Sequence, residues 1–137
     1  MLSFNDDVTD RRTLEPREPR EPTAGHPITV EPTGTRVTVR IDGDLIAETD
    51  AALTLQEASY PAVQYIPIAD VVAQLARSDT ETYCPYKGDA SYYNVVTAHG
   101  ETVDDAVWTY EQPYPAVSAI AGHVAFYPNK ADVRVGT

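Results

Sequence analysis

The chain has 137 residues, with 21 acidic and 10 basic side chains and a formal net charge of −11. The length suits one compact domain with a modest core, and no apolar run is long enough to span a membrane. The negative charge makes nucleic acid and anionic membranes unfavourable partners, because their phosphates would be repelled. The first residues lack a basic segment followed by an apolar one, so we expect a cytoplasmic protein.

Lysine is unusually rare, since Lys87 and Lys130 are the only two and every other base is an arginine. An acidic, lysine-poor composition is typical of halophilic proteins, in which carboxylates hold water of hydration. At molar salt the screening length falls to ~3 Å, which removes most of the self-repulsion. The single cysteine, Cys84, cannot form an internal disulfide, which fits a reducing compartment.

Residues 1–25 are predicted to be a disordered leader, and residues 26–137 the folded domain. Within the leader, the run from Glu15 to Pro22 repeats Glu-Pro-Arg. This run has no apolar face to bury, and its prolines favour an extended chain.

The first half of the domain is predicted to be a series of short strands. Residues 36–41 alternate, with Val37, Val39 and Ile41 on one face, as in a half-buried strand. Asp42-Gly43 is a hairpin signal, and residues 45–47 form the return strand. Further strands are expected around Leu53 and at residues 63–66.

Residues 67–77 are predicted to form the one short helix of the domain. Pro67 suits a first helical turn, where its missing N–H is not needed. Ile68, Val71, Val72 and Leu75 recur at helical spacing.

Residues 82–92, which we call the signature turn, hold the only cysteine, one of the two lysines and three tyrosines. A strand at 90–97 follows, with Tyr92, Asn94 and Val96 on one face. The strand at 106–110 pairs back and places Ala106, Trp108 and Tyr110 on one face. A helical turn at 115–121 and a last strand at 123–127 complete a mainly antiparallel β domain.

The sequence resembles the domain-of-unknown-function family four-two-seven, which some catalogues call nucleotidyltransferase-like. The resemblance runs from residue 26 to about residue 135 and is carried by residues 26–30, 65–67, 83–92, 106–111, 113–115 and 120–128. It implies a β-tent, in which two antiparallel sheets are splayed from a shared edge. Relatives of that fold include zinc modules and a ligand domain with an aromatic cage. This chain has Tyr83 and Tyr93 where the family often has His and Trp.

No metal or cofactor is expected. Structural zinc needs four close N or S ligands, whereas this chain offers Cys84 and the widely spaced His26, His99 and His123. Lys87-Gly88 is not a phosphate loop, because the upstream glycine and the following helix are missing.

Two residues of the signature turn each have two interpretations that stay open. Lys87 either anchors an anionic ligand or closes the turn through a salt bridge to Asp89 or Glu111. Cys84 is either a nucleophile activated by Lys87 or a small buried hydrophobe.

We expect a pocket that binds a small anionic or polar-aromatic molecule. Its aromatic walls are Tyr65, Tyr92, Trp108 and Tyr110, because aromatic rings with polar tips suit a wedge between sheets. The signature turn adds Tyr83, Cys84, Lys87 and Asp89. Two alternatives remain: an enzyme that uses Lys87, Asp89 or Cys84, and a protein-interaction module.

Overall fold

The computed structural model describes residues 18–136, and strands dominate this part of the chain. The strands are β1 (Ile28–Pro32), β2 (Val37–Ile41), β3 (Asp44–Thr49), β4 (Leu53–Glu57), β5 (Val63–Pro67), β6 (Gln74–Cys84), β7 (Gly88–Val96), β8 (Thr102–Thr109), β9 (His123–Phe126) and β10 (Asp132–Val135). Two short 3₁₀ segments lie at Ile68–Asp70 and Pro115–Ile120.

The strands form two antiparallel sheets. The large sheet has seven strands in the order β1-β4-β5-β9-β8-β7-β6, and the small sheet has three in the order β10-β2-β3. The hairpins β2–β3, β6–β7 and β7–β8 join neighbours in sequence, whereas β9 inserts between β5 and β8. The predicted mainly β fold of two antiparallel sheets is confirmed.

The central strands of the large sheet carry buried residues on both faces. On β5, Ile66 and Tyr65 are 0% and 1% exposed, and they belong to different core clusters. Because successive side chains of a strand point to opposite sides, this pair defines an aliphatic face and an aromatic face.

The aliphatic cluster lies on the face that packs against the small sheet. It consists of Val37, Val39, Ile41, Ile46, Ala47, Ala52, Ile66, Val95, Ala106, Val107, Val124, Phe126 and Ala131. Strands β2 and β3 contribute one side of it, and the large sheet contributes the other. Fully burying a Val or Ile side chain contributes about 1.5–3 kcal/mol, so this cluster holds the two sheets together.

The aromatic cluster lies on the other face of the large sheet. It consists of Leu55, Tyr65, Ala90, Tyr92, Tyr110, Val117, Ile120 and Ala125, with Cys84, Trp108 and Tyr127 among the half-buried residues packed against it. The 3₁₀ segment Pro115–Ile120, which was predicted as a helical turn, covers part of this face through Val117 and Ile120.

The predicted helix at residues 67–77 is wrong. Only the short turn Ile68–Asp70 forms, and β6 begins at Gln74. The backbone N–H groups of Val72 and Ala73 both donate to the carbonyl of Ile46, at 2.8 and 3.2 Å. Val71 also forms a bridge with Ala47 of β3. Pairing with β3 therefore replaces the helix, and Val72 remains 65% exposed rather than facing the core.

Irregular register corrects one predicted strand face. On β7 the alternation is kept, because Tyr92 lies in the aromatic cluster, whereas Tyr93 and Val95 lie on the aliphatic side. Ala106 lies in the aliphatic cluster and not beside Trp108, since Asp105 adopts a φ of 49° and disturbs the alternation. A further strand, β10, follows β9 and was not predicted from the sequence.

The boundary at residue 25 stays a prediction, and the leader up to residue 17 lies outside the described residues. The N–H of Arg20 donates to the carbonyl of Pro85 at 2.8 Å, and Thr23 and His26 form a bridge. The residues just before β1 therefore lie against the signature turn.

Candidate functional site

The signature turn connects β6 to β7 and is fixed by its neighbours. The N–H of Lys87 donates to the carbonyl of Cys84 at 3.1 Å, and the N–H of Tyr114 donates to the carbonyl of Lys87 at 3.0 Å. Gly88 has a φ of +112°, and a Cβ there would lie 3.4 Å from the carbonyl oxygen of Gln112. Glycine is needed here both for the backbone conformation and for the close approach.

Lys87 is buried, at 8% exposed, and its ammonium donates to the carboxylate of Glu57 at the end of β4. The second carboxylate oxygen of Glu57 lies 2.7 Å from Nε2 of His26. Within residues 18–136, the ion-pair partner of Lys87 is therefore Glu57, and not Asp89 or Glu111, the two partners suggested from the sequence. Because Glu57 neutralises Lys87, the lysine does not present an uncompensated positive charge.

Burial opposes the charge on Glu57, but its hydrogen bonds to Lys87 and His26 outweigh that effect. Together they hold the pKa of the Glu57 carboxyl below its ordinary value. Glu57 is therefore ionised at neutral pH, and its two carboxylate oxygens contact Lys87 and His26.

Two tyrosines flank His26. The ring of Tyr86 stacks on the ring of His26, with centroids 4.1 Å apart and planes 11° apart. Tyr60, which is 58% exposed, meets His26 edge-on. These contacts fix the His26 ring beside Glu57.

A cavity of about 230 Å³ opens beside Lys87 on the aromatic face of the large sheet. Its charged residues are Glu57 and Lys87, and its aliphatic residues are Leu55, Pro61 and Val63. Its aromatic residues are Tyr60, Tyr65, Tyr92, Trp108, Tyr110 and Tyr127. The walls thus come from β4, β5, β7 and β8, from the turn between β6 and β7, and from the residues that follow β4, β8 and β9.

Most polar tips of these rings bond to one another. Nε1 of Trp108 donates to the hydroxyl of Tyr65 at 3.1 Å. The hydroxyl of Tyr127 donates to that of Tyr92 at 3.3 Å, and the Tyr92 hydroxyl lies 3.0 Å from Oγ1 of Thr82. Tyr110 differs, because its hydroxyl makes no hydrogen bond within residues 18–136.

Burial raises the pKa of the Tyr65 and Tyr110 phenols far above the ordinary value. The negative charge of Glu57 and the neighbouring groups of Cys84 and Tyr92 also raise the pKa of both phenols. Both phenols therefore keep their protons at neutral pH and can act as hydrogen-bond donors.

The structure brings together five of the residues predicted for the pocket. Those that line the cavity are Tyr65, Lys87, Tyr92, Trp108 and Tyr110. Cys84 lies behind them, with Sγ 3.9 Å from Nζ of Lys87. The other two lie elsewhere: the Tyr83 hydroxyl bonds to Tyr114, and Asp89 lines a separate depression with Ser91 and Glu111.

Sequence reasoning missed Glu57, Tyr60, Tyr127 and His26 as parts of this arrangement. Glu57 lies on the same face of β4 as Leu55, which could have indicated that its side chain points inwards. One acidic residue among 21 does not stand out, however. Its pairing with Lys87 spans 30 residues and depends on sheet order, which no local pattern reveals.

Within residues 18–136, no group of three or more His, Cys, Asp or Glu side chains is arranged to hold a metal ion. Across the same residues, no helix has the length and apolar character needed to cross a membrane.

Comparison with known proteins assigns the chain to a family. A family model described as "Domain of unknown function (DUF427)", also named NTP_transf_9, matches residues 29–137. No curated protein matches the chain. The matched segment contains β2 to β10, all of β1 except its first residue, and every residue that lines the cavity. The chain therefore belongs to the DUF427 family, a family of domains of unknown function.

Proposed function

We propose that this protein binds a small molecule in the cavity beside Lys87. The observation that carries the proposal is the convergence of six aromatic rings and one compensated ion pair on a single concave surface. Ligand pockets are typically apolar and aromatic, with a few polar groups that fix the ligand's orientation.

The geometry favours a polar-aromatic ligand over a simple anion. Glu57 already occupies the ammonium group of Lys87, so an anion would have to displace a carboxylate that His26 also holds. Trp108, Tyr92 and Tyr127 offer ring faces instead, with Trp108 and Tyr127 only 4.5 Å apart between centroids. Stacking on such rings does not require a charged ligand.

The proposed binding is tested by filling the cavity. Trp108 is the only tryptophan of the chain, so its fluorescence reports on this site alone. We expect fragments from a small polar-aromatic collection to change Trp108 emission and to raise the unfolding temperature. A ligand at 100 times its dissociation constant stabilises by about 2.7 kcal/mol.

Val63→Phe should abolish both responses, because Val63 lines the cavity. Val135→Phe is the matched control, since Val135 is half exposed at the end of β10. Fragments that bind Val63→Phe as well as the parent protein would contradict the proposal.

Catalysis receives less support than binding. Lys87 and Asp89 line different cavities, so they do not form an acid–base pair across one substrate. Cys84 has Lys87 as a neighbour, but that lysine is committed to Glu57. If Cys84 is a nucleophile, iodoacetamide should alkylate it faster than a model thiol under native conditions.

The wider setting of this binding protein follows from its charge. We propose that it works in the cytoplasm at high salt, with a small molecule as its partner and without nucleic acid or membrane partners. The net charge of −11 supports this setting, because it repels phosphates and is tolerated when dissolved ions screen it.

A further inference from the structure

Two buried phenol groups in the cavity have protons without an acceptor in the described part of the protein. Tyr65 is 1% exposed, and its hydroxyl accepts from Trp108 but donates to no group within residues 18–136. Tyr110 is 8% exposed, and its hydroxyl neither donates nor accepts there. Buried polar groups normally have partners, and leaving one without a partner costs about 1–3 kcal/mol.

These two hydroxyls face a common space. Both residues line the same cavity, and each phenol interacts electrostatically with Cys84, Tyr92 and Glu57. An acceptor bound in this cavity would supply a partner for these phenol protons.

The charge of the cavity limits what that acceptor is. Lys87 and Glu57 cancel, and the remaining lining residues are neutral. A carboxylate or phosphate would enter without a free cation, close to the carboxylate of Glu57. A cationic ligand would supply donors to a site that already has donors in excess.

We propose that the cavity takes an uncharged planar carbonyl compound, whose oxygen accepts hydrogen bonds from Tyr65 and Tyr110 while its plane packs on Trp108. This inference rests on the proposed function and specifies its ligand class. An amide or a lactam fits the description, because its carbonyl oxygen is a strong acceptor and its plane matches an aromatic wall.

Three probes of similar size separate the ligand classes: benzamide is neutral, benzoate is anionic and benzylamine is cationic. Each is titrated against the full chain with Trp108 fluorescence as the readout. For molecules of this size we expect a Kd on the order of 1 mM for benzamide. Benzoate and benzylamine should bind at least about tenfold more weakly, since each brings an uncompensated charge into a buried site.

Two substitutions test the role of the hydroxyls. Tyr110→Phe removes a hydroxyl that has no partner in the described protein, so its fold should be unaffected. It should weaken benzamide binding roughly three- to tenfold, the effect of one lost hydrogen bond. Tyr65→Phe should weaken it similarly. Tyr93→Phe is the control, because Tyr93 packs against the aliphatic cluster on the opposite face.

The outcomes distinguish the inference from the proposed function. Equal or tighter binding of benzoate or benzylamine, or unchanged benzamide affinity in Tyr110→Phe and Tyr65→Phe, would overturn the carbonyl inference while leaving a ligand cavity. If none of the three probes binds, and if fragments bind Val63→Phe as well as they bind the parent protein, both the carbonyl inference and the proposed function are wrong. If two ordered waters alone satisfy the phenols, benzamide would not compete and the inference would fail.

Discussion

The two faces of the large sheet are formed by the same strands but differ in composition and packing. On the aliphatic face, Val107 and Val124 are 0% exposed and belong to the cluster that packs against the small sheet. On the aromatic face, Trp108 lies one residue further along β8 and borders an open cavity. One step along a strand separates the packed core from the candidate site.

This difference shows how one sheet of a small domain can carry a packed core on one face and an open cavity on the other. Close-packed aliphatic side chains stabilise the fold, and they tolerate little change in volume. The aromatic face keeps polar atoms and empty space, which lowers its contribution to stability but leaves room for a ligand. Substitutions on the two faces should therefore have different consequences.

The largest effect is expected for Ile66→Ala on the aliphatic face. Ile66 is 0% exposed, and its truncation should lower the free energy of unfolding by about 2–5 kcal/mol. Urea denaturation followed by circular dichroism measures the loss. Ligand affinity should remain unchanged where the variant stays folded.

Tyr65→Phe is the matched control for that comparison, because Tyr65 precedes Ile66 and points to the other face. It removes one oxygen and leaves the ring in place, so its cost should be about 1 kcal/mol. Equal destabilisation by the two variants would contradict the division between the faces.

An intermediate effect is expected for Glu57→Gln, which leaves the buried Lys87 without its counter-ion. The expected loss is about 1–3 kcal/mol, since the side chains of Lys87 and Glu57 are only 10% and 15% exposed. The double variant Glu57→Gln/Lys87→Met removes both charges and should lose less than the sum of the single variants.

The pH dependence of the same variant checks the charge of Glu57. The folded-state pKa lies below the ordinary value of 4.5, so the ion pair stabilises the fold above that pH. Its contribution is lost as the pH falls through the lower folded-state pKa. The stability difference between parent and Glu57→Gln should therefore shrink from about pH 7 to about pH 3. A difference that grows towards acid would contradict this assignment.

The smallest effect is expected for Arg36→Ala, which provides a baseline outside both faces. Arg36 bonds to Glu48 and Asp50 at 2.8 and 2.9 Å, but all three side chains are well exposed. Exposed ion pairs contribute little and are weakened by salt. The shift of the urea midpoint should be small at about 0.1 M salt and vanish at about 1 M. A shift that persists at high salt would show that this surface pair matters more than its exposure implies.

Local patterns predicted most strands, because alternation and turn residues act over a few positions. Val37, Val39 and Ile41 were predicted on one face of a half-buried strand, and all three are buried. The same kind of pattern failed at residues 67–77, where helical spacing was present but β3 offered backbone partners. Hydrogen bonds to Ile46 of β3 determine the backbone conformation of this segment, and local sequence patterns do not predict such long-range contacts.

The candidate site was predicted in part for a related reason. Rare residues and aromatics on β5, β7 and β8 indicated the walls, and the family resemblance indicated two sheets. The counter-ion of Lys87 was not predicted, because Glu57 reaches it only through the order of strands in the sheet. Whether the predicted residues bind a ligand stays a prediction that Trp108 fluorescence can test.

The pairing of β10 with β2 has a consequence for how the chain folds. Asp132 lies opposite Arg40, so one edge of the small sheet joins segments from nearly opposite ends of the described chain. Contacts between distant segments slow folding, because a long loop must close before any of them forms. During synthesis, β2 and β3 must wait for β10 to emerge before their sheet is complete. We therefore expect slow, late closure of the small sheet, on the millisecond-to-second scale of β proteins rich in non-local pairs.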